Sequence, residues 1–219
     1  MLWFPSFEPL NEQTGKGGRY NQAMKALIIV DIQYDFLPGG ALPVERGDEV
    51  IPVINRIQDK YDLVVATQDW HPAKHGSFAS AHKGAQLFEE RTLGGLPQVM
   101  WPDHCVQMTH GAELVADLDQ RLVEVVFRKG MDPKIDSYSG FFDNGRKKAT
   151  GLADYLKGKG VEAVHVCGLA ADYCVYYTAM DALDLGFKAS IIEAATRPIS
   201  ATGFEAAKQE FLARGGWVE

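Results

Sequence analysis

Three short segments of this 219-residue chain carry side chains suited to covalent chemistry. The first is Gly168-Leu169-Ala170-Ala171-Asp172-Tyr173-Cys174-Val175, which follows the apolar run Val161–Cys167 and leads into residues with helical spacing (Val175, Tyr176, Ala179, Leu183). That pattern predicts a buried strand, a turn and a helix, with Cys174 in the helix's first turn. A helix start favours a thiolate through its dipole and free N–H groups, and those N–H groups can also receive an oxyanion. The second segment, Ala26-Leu27-Ile28-Ile29-Val30-Asp31, is an unbroken apolar strand that ends in a carboxylate. The third, Val123-Glu124-Val125-Val126-Phe127-Arg128-Lys129, delivers a lysine after another apolar strand. A carboxylate can remove a thiol proton, and an ammonium beside both holds the anions and tunes them. Asp35, four residues beyond Asp31, reads as a cap or a surface charge.

A second set of residues suits a metal. Leu63-Val64-Val65-Ala66-Thr67-Gln68-Asp69-Trp70-His71 is a strand closing on Asp-x-His, and Trp101-Pro102-Asp103-His104 supplies a further imidazole. Residues two apart on extended backbone share a side, so Asp69 and His71 can grip one ion. Two imidazoles and a carboxylate suit Zn, Fe or Mn and leave coordination positions open.

Such residues need elements to position them. Strands are predicted near 25–31, 62–68, 122–128, 161–168 and 187–193, with a short last one at Trp217-Val218. Helices are predicted near 47–58, 111–118, 146–158, 173–185 and 201–214. Alternating strands and helices imply an α/β fold, a single-domain doubly wound parallel sheet with helices on both faces. In such sheets ligands bind at the carboxyl ends of the strands, which is where Asp31, Asp69, Lys129 and the Cys174 turn fall. The stretch from Pro72 to Gln107 has little periodicity and reads as an excursion over the pocket. Residues 1–23 differ in composition, with an apolar start and a Gly-rich polar part. They read as a leader, or as the product of an upstream start codon, ahead of a hydrolase domain at 24–219.

Composition excludes several classes. The formal charge of −7 and the lack of basic clusters argue against nucleic acid and anionic membranes as partners. No apolar run approaches the ~20 residues of a membrane span. Cys105, Cys167 and Cys174 form an odd set without scaffold spacing, which suits a reducing cytoplasm.

The Asp, Lys and Gly-x-Ala-x-Asp-x-Cys-Val motifs, in this order from about Met24 to Gly186, resemble the isochorismatase-like cysteine hydrolases. With Asp69, His71 and His104 added, they resemble that family's nicotinamidase branch. The resemblance implies hydrolysis of nicotinamide (and pyrazinamide) to the acid and ammonia in NAD salvage. It implies Asp31, Lys129 and Cys174 as catalytic residues and N–H groups of Ala170 and Cys174 as an oxyanion hole. It implies Phe36 and Trp101 against the substrate ring, and one divalent ion (Zn, Fe or Mn) on Asp69, His71 and His104. It also implies a cis Leu169–Ala170 peptide. Some members have a further His where this chain has Ser77; His75 is a lower-ranked alternative ligand. Ala194 stands where relatives often have Asp, so no site residue is expected past Gly186. The alternatives are another carboxamide hydrolase of the same family or an inactive ligand-binding relative. A homo-oligomer is compatible with all of these readings.

Overall fold

The computed structural model describes residues 23–219. The leader expectation therefore lies outside the described residues, apart from Ala23. Six strands form one parallel sheet in the order β5-β2-β1-β6-β7-β8. They are β1 (Met24–Val30), β2 (Leu63–Asp69), β5 (Val123–Lys129), β6 (Val161–Leu169), β7 (Lys188–Arg197) and β8 (Trp217–Val218). Helices α1 (Val50–Ile57), α2 (Leu152–Gly158), α3 (Tyr176–Asp184) and α4 (Ala201–Ala213) cover it.

Side-chain alternation on β1 explains the two-sided cover. Ala26, Ile28 and Val30 join one core with Leu152 and Leu156 of α2, Ala179 of α3, and Phe204 and Phe211 of α4. Leu27 and Ile29 join a second core with Val50, Ile51 and Ile54 of α1. Full burial of each such aliphatic side chain is worth about 1.5–3 kcal/mol, so neither face of β1 can be left to solvent. The chain winds outward from β1 through β2 to β5, then returns to β6 on the other side of β1. The β1/β6 boundary is thus the point where strand order reverses, and ligand crevices open at such points. Asp31 leaves β1 and the Cys174 turn leaves β6 at that same boundary.

Several element boundaries differ from expectation. No α-helix forms over 111–118. A single 3-10 turn, His110–Ala112, occurs instead. Leu114 bridges Gln33, the Ala112 carbonyl accepts from the Gln33 and Gln68 side chains, and Val115 N–H bonds Ile32 O. Those long-range partners outcompete helical hydrogen bonds. The helix expected from 146 begins at Leu152, because Phe142 bridges Ala149 and Thr150 N–H bonds Phe141 O. Strand β7 runs on to Arg197. Within the 72–107 excursion, β3 (Glu90–Leu93) and β4 (Leu96–Val99) form an antiparallel hairpin. Its two-residue turn is Gly94-Gly95, both with positive φ, a hairpin signal legible in the sequence.

Candidate active site

Cys174 sits in a π turn, Ala171–Val175, that precedes α3, rather than in the first turn of an ordinary α-helix. Val175 N–H reaches back five residues to Ala170 O at 3.1 Å, the wide turn that inserts a residue and often marks functional sites. The Leu169–Ala170 peptide is cis. Upstream, Gly168 has φ +110°, and a Cβ there would lie 2.0 Å from Val30 O. Only glycine permits β6 to run this close to the end of β1 and bring the Cys174 turn beside Asp31.

Lys129 is the hub. Its ammonium is buried and contacts Asp31 Oδ2 at 2.9 Å, Asp69 Oδ1 at 2.5 Å, Ser137 O at 3.0 Å and Cys174 Sγ at 3.4 Å. Asp31 is held in the left-handed region (φ +48°), which Asp tolerates better than most residues. Its Oδ1 accepts from Thr67 Oγ1 at 2.6 Å. Its Oδ2 pairs with the Lys129 ammonium and keeps a further lone pair beside the Cys174 thiol.

The electrostatics revise one expectation. Burial, with Asp31 and Asp69 adding to it, pushes the Cys174 thiol well above its ordinary pKa, against the pull of Lys129. The resting group is a thiol, and the turn alone does not make it a thiolate. Burial, aided by Asp69, also raises Asp31, while Lys129 and Thr67 oppose. For Lys129, burial would lower the pKa, but the surrounding Asp31, Asp69 and Cys174 outweigh it and hold the ammonium charged.

Asp69 joins this cluster to the histidines. Its backbone is pinned by Gln33, which accepts from Asp69 N–H and donates to Asp69 O. While Oδ1 serves Lys129, Oδ2 lies 3.4 Å from His71 Nε2 and 3.8 Å from His104 Nε2. His71 Nδ1 bonds Gly130 O and His104 Nδ1 bonds Pro102 O, each at 2.8 Å. A carbonyl only accepts, so each ring carries a proton on Nδ1 and directs Nε2 toward Asp69. Gly130 is required for this, since a Cβ there would lie 2.4 Å from the His71 ring. Asp35 proves to be a cap that serves the site: its Oδ2 accepts from Cys105 N–H at 2.7 Å and steadies the His104 loop. The ligand atoms of Asp69, His71 and His104 lie within 4.8 Å of one another. Two imidazoles and a carboxylate fit a divalent ion of the Zn, Fe or Mn type.

His75 is differently committed. Its Nε2 bonds Asp132 O at 2.7 Å, so the proton is there. Its Nδ1 is occupied by Ser77, which donates its hydroxyl at 2.7 Å and its N–H at 3.1 Å. Neither nitrogen is free to take an ion.

A cavity of about 20 Å³ opens onto Cys174, Ala170, Asp69, His104, Phe36 and Trp101, bringing the expected nucleophile, metal and aromatic residues to one place. Sequence reasoning missed Leu42, Asp136, Tyr138, Tyr173 and Ile199, which also line it. Ile199 lies past Gly186, so the site extends further along the chain than expected. Tyr138 and Tyr173 both pack edge-on against Trp101. No periodicity marks these residues, because they converge from separate loops. A larger groove of about 400 Å³, beside Arg128, Met131 and Lys148, contains neither Cys174 nor the histidines.

The Asp31, Lys129 and Cys174 side chains thus lie buried together at the switch point of a doubly wound parallel sheet. Residues 25–219 match the isochorismatase domain model, and the chain belongs to that family. It is 48% identical over 180 residues to the nicotinamidase of Escherichia coli (strain K12), spanning 80% of this chain and 84% of that one. Its fold superposes on a nicotinamidase/pyrazinamidase of Acinetobacter baumanii with a TM-score of 0.87 at 43% identity, covering 90% and 96% of the two chains. It also matches a Pyrococcus horikoshii pyrazinamidase solved in complex with zinc, with a TM-score of 0.73 at 40% identity, covering 89% and 98%.

Proposed function

We propose that this chain is a nicotinamidase that hydrolyses nicotinamide to nicotinate and ammonia, accepts pyrazinamide, and serves NAD salvage in the cytoplasm. One observation carries the reading: the Asp31–Lys129–Cys174 cluster shares Asp69 with a two-histidine set, in one aromatic-walled cavity. The similarity to nicotinamidases supports it. The convergent Asp69, His71 and His104 set argues against another carboxamide hydrolase of the same family.

In this reading Asp31 takes the Cys174 proton, and the sulfur attacks the carboxamide carbon. N–H groups of Ala170 and Cys174 receive the oxyanion. Lys129 stays protonated and stabilises the anions on either side. Asp31 hands the proton to the departing ammonia, then activates the water that cleaves the thioester and returns Cys174 to a thiol. Phe36 and Trp101 flank the ring, a geometry worth about 0.5–1.5 kcal/mol beyond burial. Asp69, His71 and His104 would hold the divalent ion, which supplies a Lewis-acidic position for the pyridine nitrogen; zinc is the ion we favour, given the Pyrococcus horikoshii relative. Residues 24–219 form the hydrolase domain.

Ammonia release from nicotinamide tests the reading. Cys174→Ala should lower turnover by at least about three orders of magnitude while keeping the fold and the ion, and Cys105→Ala and Cys167→Ala should stay active. Near-normal turnover by Cys174→Ala would rule out the covalent route.

A further inference from the structure

Asp136 is a buried carboxylate that the chemistry above does not use. It is 3% exposed and lines the same cavity as Cys174 and His104. Oδ1 accepts from Ser137 N–H at 2.8 Å and Oδ2 from Gln98 Nε2 at 3.0 Å. Both donors are neutral, and Asp136 forms no ion pair with a lysine or arginine among the described residues. A buried carboxylate in that position is costly unless a cation lies nearby.

No lysine or arginine among the described residues supplies that cation. Ligand atoms of Asp136, His71 and His75 lie within 4.8 Å of one another. His75 has both nitrogens occupied, by Asp132 O and by Ser77. What remains is Asp136 beside His71, whose Nε2 faces Asp69. Each Asp136 oxygen makes one hydrogen bond and retains a free lone pair to turn toward an ion. Gln98 also donates to Tyr138 Oη at 2.9 Å, which ties the carboxylate to the aromatic wall.

We infer that Asp136 is a second carboxylate of the metal centre, whose charge helps retain a divalent ion at Asp69, His71 and His104. This rests on the reading that those three residues hold an ion. The test is binding of Co²⁺, followed by its visible absorption, to metal-stripped wild type, Asp136→Asn and His71→Ala, with melting temperatures of each stripped protein. Asp136→Asn should weaken Co²⁺ affinity about 10- to 100-fold, the range for partners that support a metal's ligands. Stripped Asp136→Asn should melt at or above stripped wild type, because an uncompensated buried charge has gone. Unchanged affinity would overturn the inference alone. So would an Asp136→Asn protein that unfolds without metal, since the carboxylate would then serve the fold. Equal indifference of wild type and His71→Ala to Co²⁺ would instead overturn the metal reading beneath it.

Discussion

At the scale of single residues, this site works by making one side chain answer to two neighbours. Asp69 divides its oxygens between Lys129 and the histidines, so the acid–base cluster and the ion site are set by one carboxylate. Asp31 is divided in the same way, with Oδ1 fixed by Thr67 and Oδ2 paired with Lys129. Only ionised Asp31 can take the thiol proton, so activity should fall as pH drops through its pKa. Burial raises that pKa, which puts the acid limb of kcat/KM above the ordinary carboxylate range. The Thr67 hydrogen bond pulls it back down. Thr67→Val should therefore move the acid limb to higher pH and lower kcat/KM at acidic pH more than at neutral pH. A pH profile of both proteins checks this, and an unmoved limb would count against Asp31 as the base.

At the scale of elements, loops rather than strands close the cavity. About 20 Å³ holds roughly one water, so a ring-sized substrate enters only if a wall moves. Ile199 is the most exposed of the hydrophobic residues lining it. It belongs to the turn between β7 and α4, and that turn is tied to the nucleophile's own turn. Asp172, two residues before Cys174, accepts from Ile199 N–H at 2.9 Å and Ser200 N–H at 2.8 Å. Hydrogen bonds to a charged group are worth about 1.5–3 kcal/mol each, enough to set where Ile199 rests. Asp172→Ala should loosen that wall and raise KM about tenfold, a change of roughly 1.4 kcal/mol, with kcat nearly kept. Steady-state kinetics separates the two parameters; a fall confined to kcat would show that Asp172 acts on the Cys174 turn instead.

At the scale of the whole molecule, β1 is the reference on which everything registers. It is flanked by β2 and β6 and buried on both faces. Its pairing begins at Met24 with Val161, and the family match begins at residue 25. A chain started at Met24 keeps every strand pairing and every site contact described above. It should fold with a melting temperature within a few degrees of the full chain's and retain its nicotinamide hydrolysis. Loss of activity on this truncation, measured by ammonia release, would assign residues 1–23 a part in the active structure. Among the described residues, no helix is long and apolar enough to cross a membrane.

Local pattern was enough to establish the parallel α/β sheet and the residues at its carboxyl edge. The β-rich apolar runs at β1, β2 and β6 are of the buried-strand type, and a strand's end lies where its last residue does. Asp31, Asp69, Lys129 and the Cys174 turn were therefore legible before any coordinate. The limits of local pattern appear at 111–118, where helical spacing lost to hydrogen bonds from Gln33 and Gln68, two residues far away in the chain. They appear again at Cys174, where a helix start suggested a thiolate and burial among carboxylates decided for a thiol. The tautomers of His71 and His104, the commitment of His75 to Ser77, and the approach of Asp136 and Ile199 to one cavity all depend on groups brought together from separate loops. Strand periodicity is a property of neighbours in sequence, whereas desolvation and hydrogen-bond partnership are properties of neighbours in space, and only the folded chain decides which residues those are.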